Sequence, residues 1–97
     1  MVSKDAVLKT LGGLMDHLRE HYGVKRMGLF GSVAREGAGS ESDIDLLVEF
    51  ERPIGFFKFL ELEEFLTDRL GQKVDLVSRR ALKPRIGARI LEEVVDV

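Results

Sequence analysis

The chain has no cysteine among its 97 residues, which excludes disulfide staples and thiolate metal sites alike. It has no run of about 18 apolar residues, so no membrane-spanning helix is expected. The opening Met1-Val2-Ser3-Lys4-Asp5 runs straight into a helical pattern without the apolar core of a signal peptide, and a cytoplasmic protein is expected. An excess of positive charge is also missing. The formal net charge is −2, so direct nucleic-acid binding by the domain as a whole is not expected. No repeat, low-complexity tract or linker interrupts the sequence, and residues 1–97 read as one small domain. With 44% hydrophobic and 33% charged residues, the composition is that of a folded protein rather than a disordered one.

Regular patterning fills the chain instead. Val7, Leu8, Leu11, Leu14, Met15, Leu18 and Tyr22 recur at helical spacing, which predicts a helix over about Ser3 to Tyr22 ended by Gly23. Gly12 and Gly13 lie inside it at about 1 kcal/mol each relative to Ala, suggesting a close helix contact or a slight break. Residues 24–30 read as a short strand with imperfect alternation. A short helix is expected from Ser32 to about Glu36, followed by the loop Gly37-Ala38-Gly39-Ser40. From Asp43 to Phe50 the alternation is cleaner: Ile44, Leu46 and Val48 face one way, Asp43, Asp45, Leu47 and Glu49 the other. A second long helix spans Phe56 to Leu70, with a broad apolar face that includes Phe56, Phe59, Leu62 and Leu66. Phe56, Phe57 and Phe59 are expected in the core rather than as a base-stacking platform. Lys73 to Val77 forms a third strand, and Leu82 to Val94 a last helix with Pro84 in its first turn. Such alternation predicts an α/β (α+β) fold, a mixed sheet of about three core strands flanked by helices.

The residues that could carry chemistry begin with Asp43 and Asp45. Two apart on a strand, they point to one face, and two like charges there call for a cation between them. Mg²⁺ suits such a pair, completing its shell with phosphate oxygens and water. A D-x-D triplet alone is a weak signal in a chain with seven aspartates. Upstream, Gly31 lets the backbone approach a ligand closely, and Ser32 offers a hydroxyl where unpaired helix N–H groups suit a phosphate. Asp75 stands in the otherwise apolar Val74-Asp75-Leu76-Val77. It could pair with Lys73 or Arg79, or serve as a third metal ligand or general base beside the other two aspartates.

Gly31-Ser32, ten intervening residues and Asp43-Ile44-Asp45 match the G-S-x10-D-x-D signature. On these residues the chain resembles the DNA polymerase β-like nucleotidyltransferase superfamily. The fuller strings Phe30-Gly31-Ser32-Val33-Ala34-Arg35 and Ser42-Asp43-Ile44-Asp45-Leu46-Leu47-Val48 are similar to its minimal nucleotidyltransferase (MNT) branch, the antitoxins of HEPN–MNT toxin–antitoxin modules. The likeness covers nearly the whole chain, to Arg89-Ile90-Leu91-Glu92-Glu93-Val94-Val95. It departs at the closing Val95-Asp96-Val97, where a hydrophobic or aromatic residue would be more typical. The resemblance implies AMP transfer from ATP, with Gly31 and Ser32 holding the triphosphate and Ser42 beside them as a nucleotide-binding candidate or a tie for the loop. It implies Asp43, Asp45 and Asp75 as the catalytic and metal-binding residues, with Mg²⁺, two ions in number. The implied acceptor is a tyrosine hydroxyl of a partner HEPN ribonuclease toxin, whose modification silences it. Two alternatives stay open: transfer to a small molecule or an RNA end, and a non-catalytic antitoxin that inhibits by docking. A homo- or hetero-oligomer is compatible with either.

Three features are weaker. Arg35 could reach a phosphate or pair with Glu36 or Glu41. His17 and His21, at i and i+4, read as an exposed pair rather than metal ligands. Arg79, Arg80, Lys83, Arg85 and Arg89 crowd into one stretch, either a solvated helix face or a docking surface for an acidic partner or phosphate-bearing ligand.

Overall fold

A computed structural model describes residues 3–35 and 43–97. Helix α1 (Lys4–Tyr22) starts where the Ser3 hydroxyl accepts the Ala6 N–H at 3.2 Å, and it stops at a left-handed Gly23. There follow β1 (Val24–Phe30), the single-turn α2 (Gly31–Ala34), β2 (Ile44–Phe50), α3 (Phe56–Leu70), β3 (Val74–Ser78), a 3₁₀ turn at Arg79–Ala81, α4 (Pro84–Glu93) and β4 (Val95–Asp96). The strands form one mixed sheet in the order β3-β2-β1-β4. β2 and β3 run parallel, while β1 is antiparallel to both β2 and β4.

The strand period of two divides the sheet into an apolar face and a charged one. Met27, Leu29, Ile44, Leu46, Val48, Val74 and Leu76 point to the first, where they pack with Val7, Leu11 and Leu18 of α1 and Leu62 and Leu66 of α3. Each buried Leu there contributes about 1.5–3 kcal/mol relative to an exposed one. β1 alternates imperfectly because its register slips between Val24 and Arg26, a bulge that lets Val24 and Met27 both be buried.

The opposite face carries Arg26, Gly28, Phe30, Asp45, Leu47, Glu49, Asp75 and Val77. α4 and β4 cover part of it. Gly28 admits them: a Cβ there would collide with the Val94 side chain and lie 3.3 Å from the Val95 carbonyl oxygen. The outer edge of β3 is capped by α3, since the Val74 N–H donates to Thr67 Oγ1 at 3.1 Å and the Leu76 N–H to Glu63 Oε2 at 2.9 Å.

Several expectations need correction. β4 adds a fourth strand, two residues long and too short to show a period, and α4 ends at Glu93 rather than Val94. Gly12 and Gly13 mark neither a contact nor a break: α1 is continuous, and a Cβ at either would have no atom within 4 Å. Phe56 and Phe57 are not core. They are 69% and 84% exposed, because the first turn of α3 borders an open groove with Phe50, Pro53, Ile54 and Phe59. α2 begins at Gly31, and the expected loop 37–40 lies outside the described residues. No helix among the described residues is long and apolar enough to cross a membrane.

Candidate active site

β1 ends and β2 and β3 begin at the same edge of the sheet, and their register brings the candidate residues together. Phe30 is the cross-strand partner of Asp45, and Asp45 is the partner of Asp75. Neighbouring strands stand about 4.8 Å apart, so the Asp45 and Asp75 side chains leave one face side by side. Asp43, two residues before Asp45, shares that face.

Gly31 closes the arrangement from above. Its φ of +77° is the left-handed conformation that side chains disfavour. A Cβ on Gly31 would also run into Oδ2 of Asp45, so the chain turns out of β1 directly against that carboxylate. Ser32 follows in the same turn and is half-buried. Ser42, the remaining nucleotide-binding candidate, lies outside the described residues.

The electrostatics follow from this crowding. Burial first, then the neighbouring Asp75 and Asp43 carboxylates, push the Asp45 carboxyl above its ordinary value; Arg35 works against them and Glu93 adds to them. The alternative ion pairs for Asp75 do not form. Lys73 Nζ lies 3.9 Å from Asp43 Oδ2, and Arg79 Nη1 lies 3.1 Å from Glu49 Oε1. Asp75 is held by its backbone instead, since the residues on either side of it donate to Thr67 and Glu63 of α3.

Glu93 has no counterpart among the residues singled out from the sequence. Its Oε1 accepts the Gly31 N–H at 3.2 Å, and its Oε2 lies 3.2 Å from Arg35 Nη1. Arg35 therefore pairs with the end of α4. The expected partners Glu36 and Glu41 lie outside the described residues.

A hard divalent cation suits the chemistry of this edge. Its candidate donors are carboxylate oxygens, and burial first, then repulsion from Asp75 and Asp43, raises Asp45, a condition that a cation relieves. Among the described residues no group of three or more His, Cys, Asp or Glu is placed to hold a metal ion. Mg²⁺ does not require one, because it usually takes one or two carboxylates and fills its octahedron with phosphate oxygens and water.

The other candidates sit elsewhere. His17 is half-buried, its ring 4.1 Å from His21 and 5.0 Å from Phe65, on the helix that covers the apolar face. His21 is exposed as expected and His17 is half-buried, and both lie on the helix that packs against the apolar face. Arg79, Arg80, Lys83, Arg85 and Arg89 are all exposed, as a solvated face would be.

The nucleotidyltransferase domain family model matches residues 12–97. The protein adenylyltransferase MntA of Thermococcus cleftensis is 42% identical over 97 residues, covering 100% of this chain and 98% of that protein. The solved structure of a candidate minimal nucleotidyltransferase superposes with a TM-score of 0.85 at 33% identity, covering 99% of this chain and 97% of that one. The chain therefore belongs to the nucleotidyltransferase domain family and is a nucleotidyltransferase. A chain of the solved complex between a tri-AMPylated Shewanella oneidensis HEPN toxin and an MNT antitoxin shares the fold, with a TM-score of 0.69 at 21% identity over 93% of this chain and 70% of that one.

Proposed function

We propose that this protein, folded as the single domain 1–97, moves AMP from ATP to a tyrosine hydroxyl of a cytoplasmic HEPN-type toxin and thereby acts as its antitoxin. The observation that carries the reading is the register pairing of Asp45 with Asp75 beside the left-handed Gly31, which gathers carboxylates and a close backbone turn at one sheet edge. The near full-length likeness to a protein adenylyltransferase supports the choice of group, and the fold shared with an MNT antitoxin bound to an AMPylated HEPN toxin supports the partner.

In this reading Gly31 and Ser32 receive the triphosphate through a backbone N–H and a hydroxyl. Asp43, Asp45 and Asp75 would hold Mg²⁺, which would supply Lewis-acid stabilisation of charge on the phosphoryl oxygens. Asp75, exposed and free of ion pairs among the described residues, takes the proton of the acceptor hydroxyl. The tyrosine oxygen then forms a bond to the α-phosphorus in line with the breaking bond to the bridging oxygen, and pyrophosphate departs.

The test uses the chain, ATP labelled at the α-phosphate, Mg²⁺ and a HEPN-type protein encoded beside it. Label is expected on a partner tyrosine, and Asp43→Ala, Asp45→Ala and Asp75→Ala should each abolish it. An unlabelled partner that the Asp43→Ala chain silences as well as the native chain does would replace transfer by simple docking.

A further inference from the structure

Glu93 is the last residue of α4 and stands 62 positions from Gly31, yet its side chain reaches the candidate cradle. One carboxylate serves two donors at once. Oε1 accepts the Gly31 N–H at 3.2 Å, while Arg35 Nη1 lies 3.2 Å from Oε2 and 3.5 Å from Oε1. A backbone N–H together with a guanidinium is the donor set that a phosphate oxygen pair would take. The Glu93 side chain is therefore placed as a phosphate would be.

We propose that Glu93 is an internal stand-in for the nucleotide's phosphates, which occupies Gly31 and Arg35 in the free protein and is displaced when a triphosphate binds. The inference rests on the reading that the Gly31–Ser32 turn receives the triphosphate.

Three observations favour an exchangeable contact over a fixed strut. The pair is open to water, with the Arg35 and Glu93 side chains 61% and 35% exposed, and exposed ion pairs hold weakly. Glu93 also sits where negative charge already gathers, since the Gly31 that it holds lies directly against the Asp45 carboxylate. A triphosphate carries more charge than one carboxylate, so it wins both donors while moving Glu93 away from Asp45. Finally, Glu93 is carried by a segment held over the sheet at Gly28, where the Val94 side chain packs against the missing Cβ and the Val97 N–H donates to the Met27 carbonyl at 3.0 Å. That seat aims Glu93 at the cradle and leaves the side chain free to rotate out. The apparent affinity for nucleotide is then lowered by the fraction of molecules in which Glu93 occupies the donors.

Calorimetric titration of the full chain decides the matter, using a non-hydrolysable ATP analogue and, separately, inorganic tripolyphosphate, each with Mg²⁺. Glu93→Gln and Glu93→Ala should bind both ligands about tenfold more tightly than the native chain, a shift of ~1.4 kcal/mol. The gain should be equal for the two ligands, because only their phosphates compete with Glu93. It should shrink in an Arg35→Gln background. Unchanged or weaker binding by variants that circular dichroism shows to be folded overturns the proposal and makes Glu93 a strut. Should neither variant fold, the native chain answers through NMR: the Glu93 carboxylate carbon must shift on addition of tripolyphosphate, and an unmoved resonance overturns the proposal. If native chain and variants alike bind neither ligand, it is the nucleotide site at Gly31–Ser32 that is wrong.

Discussion

Replacing Gly31 by Ala tests the geometry on which the site depends. Two separate costs act at that position. The backbone φ of +77° costs a side-chain-bearing residue roughly 1–2 kcal/mol. The new methyl also meets the Asp45 carboxylate head-on and forces it, or β2 beneath it, to shift. Overpacking of that kind costs roughly 1–3 kcal/mol. Together they amount to about 2–5 kcal/mol, and each kcal/mol lowers the melting temperature of a domain this size by about 4–8 °C. Thermal unfolding followed by circular dichroism should therefore show a fall of at least about 8 °C. A double-mutant cycle separates the two causes. In an Asp45→Ala background the collision with the carboxylate is gone, so Gly31→Ala should then cost only the backbone part, leaving a coupling of about 1–3 kcal/mol. Equal losses in the two backgrounds would refute the claim that Gly31 and Asp45 are in contact.

Two further outcomes follow from the same structure. The raised Asp45 carboxyl has a definite sign: its folded value lies above its unfolded one, so its favourable contribution is complete at low pH and is lost as pH rises through the folded value. Asp45→Asn should accordingly melt higher than the native chain at pH 7, with the difference disappearing below about pH 3; a lower melting temperature at pH 7 would count against it. Gly12→Ala and Gly13→Ala, at exposed positions with open space around the added methyl, should each stabilise α1 by roughly 0.5–1 kcal/mol in urea titration.

The Asp43–Asp45 half of the site was legible because a strand's period of two is local: positions two apart share a face whatever the strand pairs with. The register that sets Asp75 beside Asp45 was not, because the two residues lie 30 positions apart with a helix between their strands, and many registers bury the same apolar face. An acid in the otherwise apolar Val74-Asp75-Leu76-Val77 marked Asp75 as a candidate third ligand or base, and the family resemblance implied the same role, but neither gave the register. Glu93 left still less trace, as one acid beside Glu92 at the end of an amphipathic helix whose landing place depends on the whole sheet. Gly28 was the available hint, since a glycine inside a strand marks the close approach of other backbone. The exposed Phe56 and Phe57 show the converse limit. Helical spacing reveals which residues share a stripe, but not how far the facing layer extends beneath it.

These features share one electrostatic logic. Asp45, Asp75 and Asp43 repel one another in the free protein, and Glu93 adds to that field while occupying the donors that an anionic ligand would need. A cation alone relieves the carboxylates but leaves Glu93 in place. A triphosphate alone displaces Glu93 but brings its own charge against three aspartates. Only the two together answer both, so cation and triphosphate should bind with positive cooperativity, each tightening the other by the same factor. The cooperativity should be smaller in Glu93→Gln, because part of what the triphosphate accomplishes has already been done. Titrating the ATP analogue at several Mg²⁺ concentrations measures that factor in both chains, and an identical factor in the two would separate Glu93 from the carboxylates altogether.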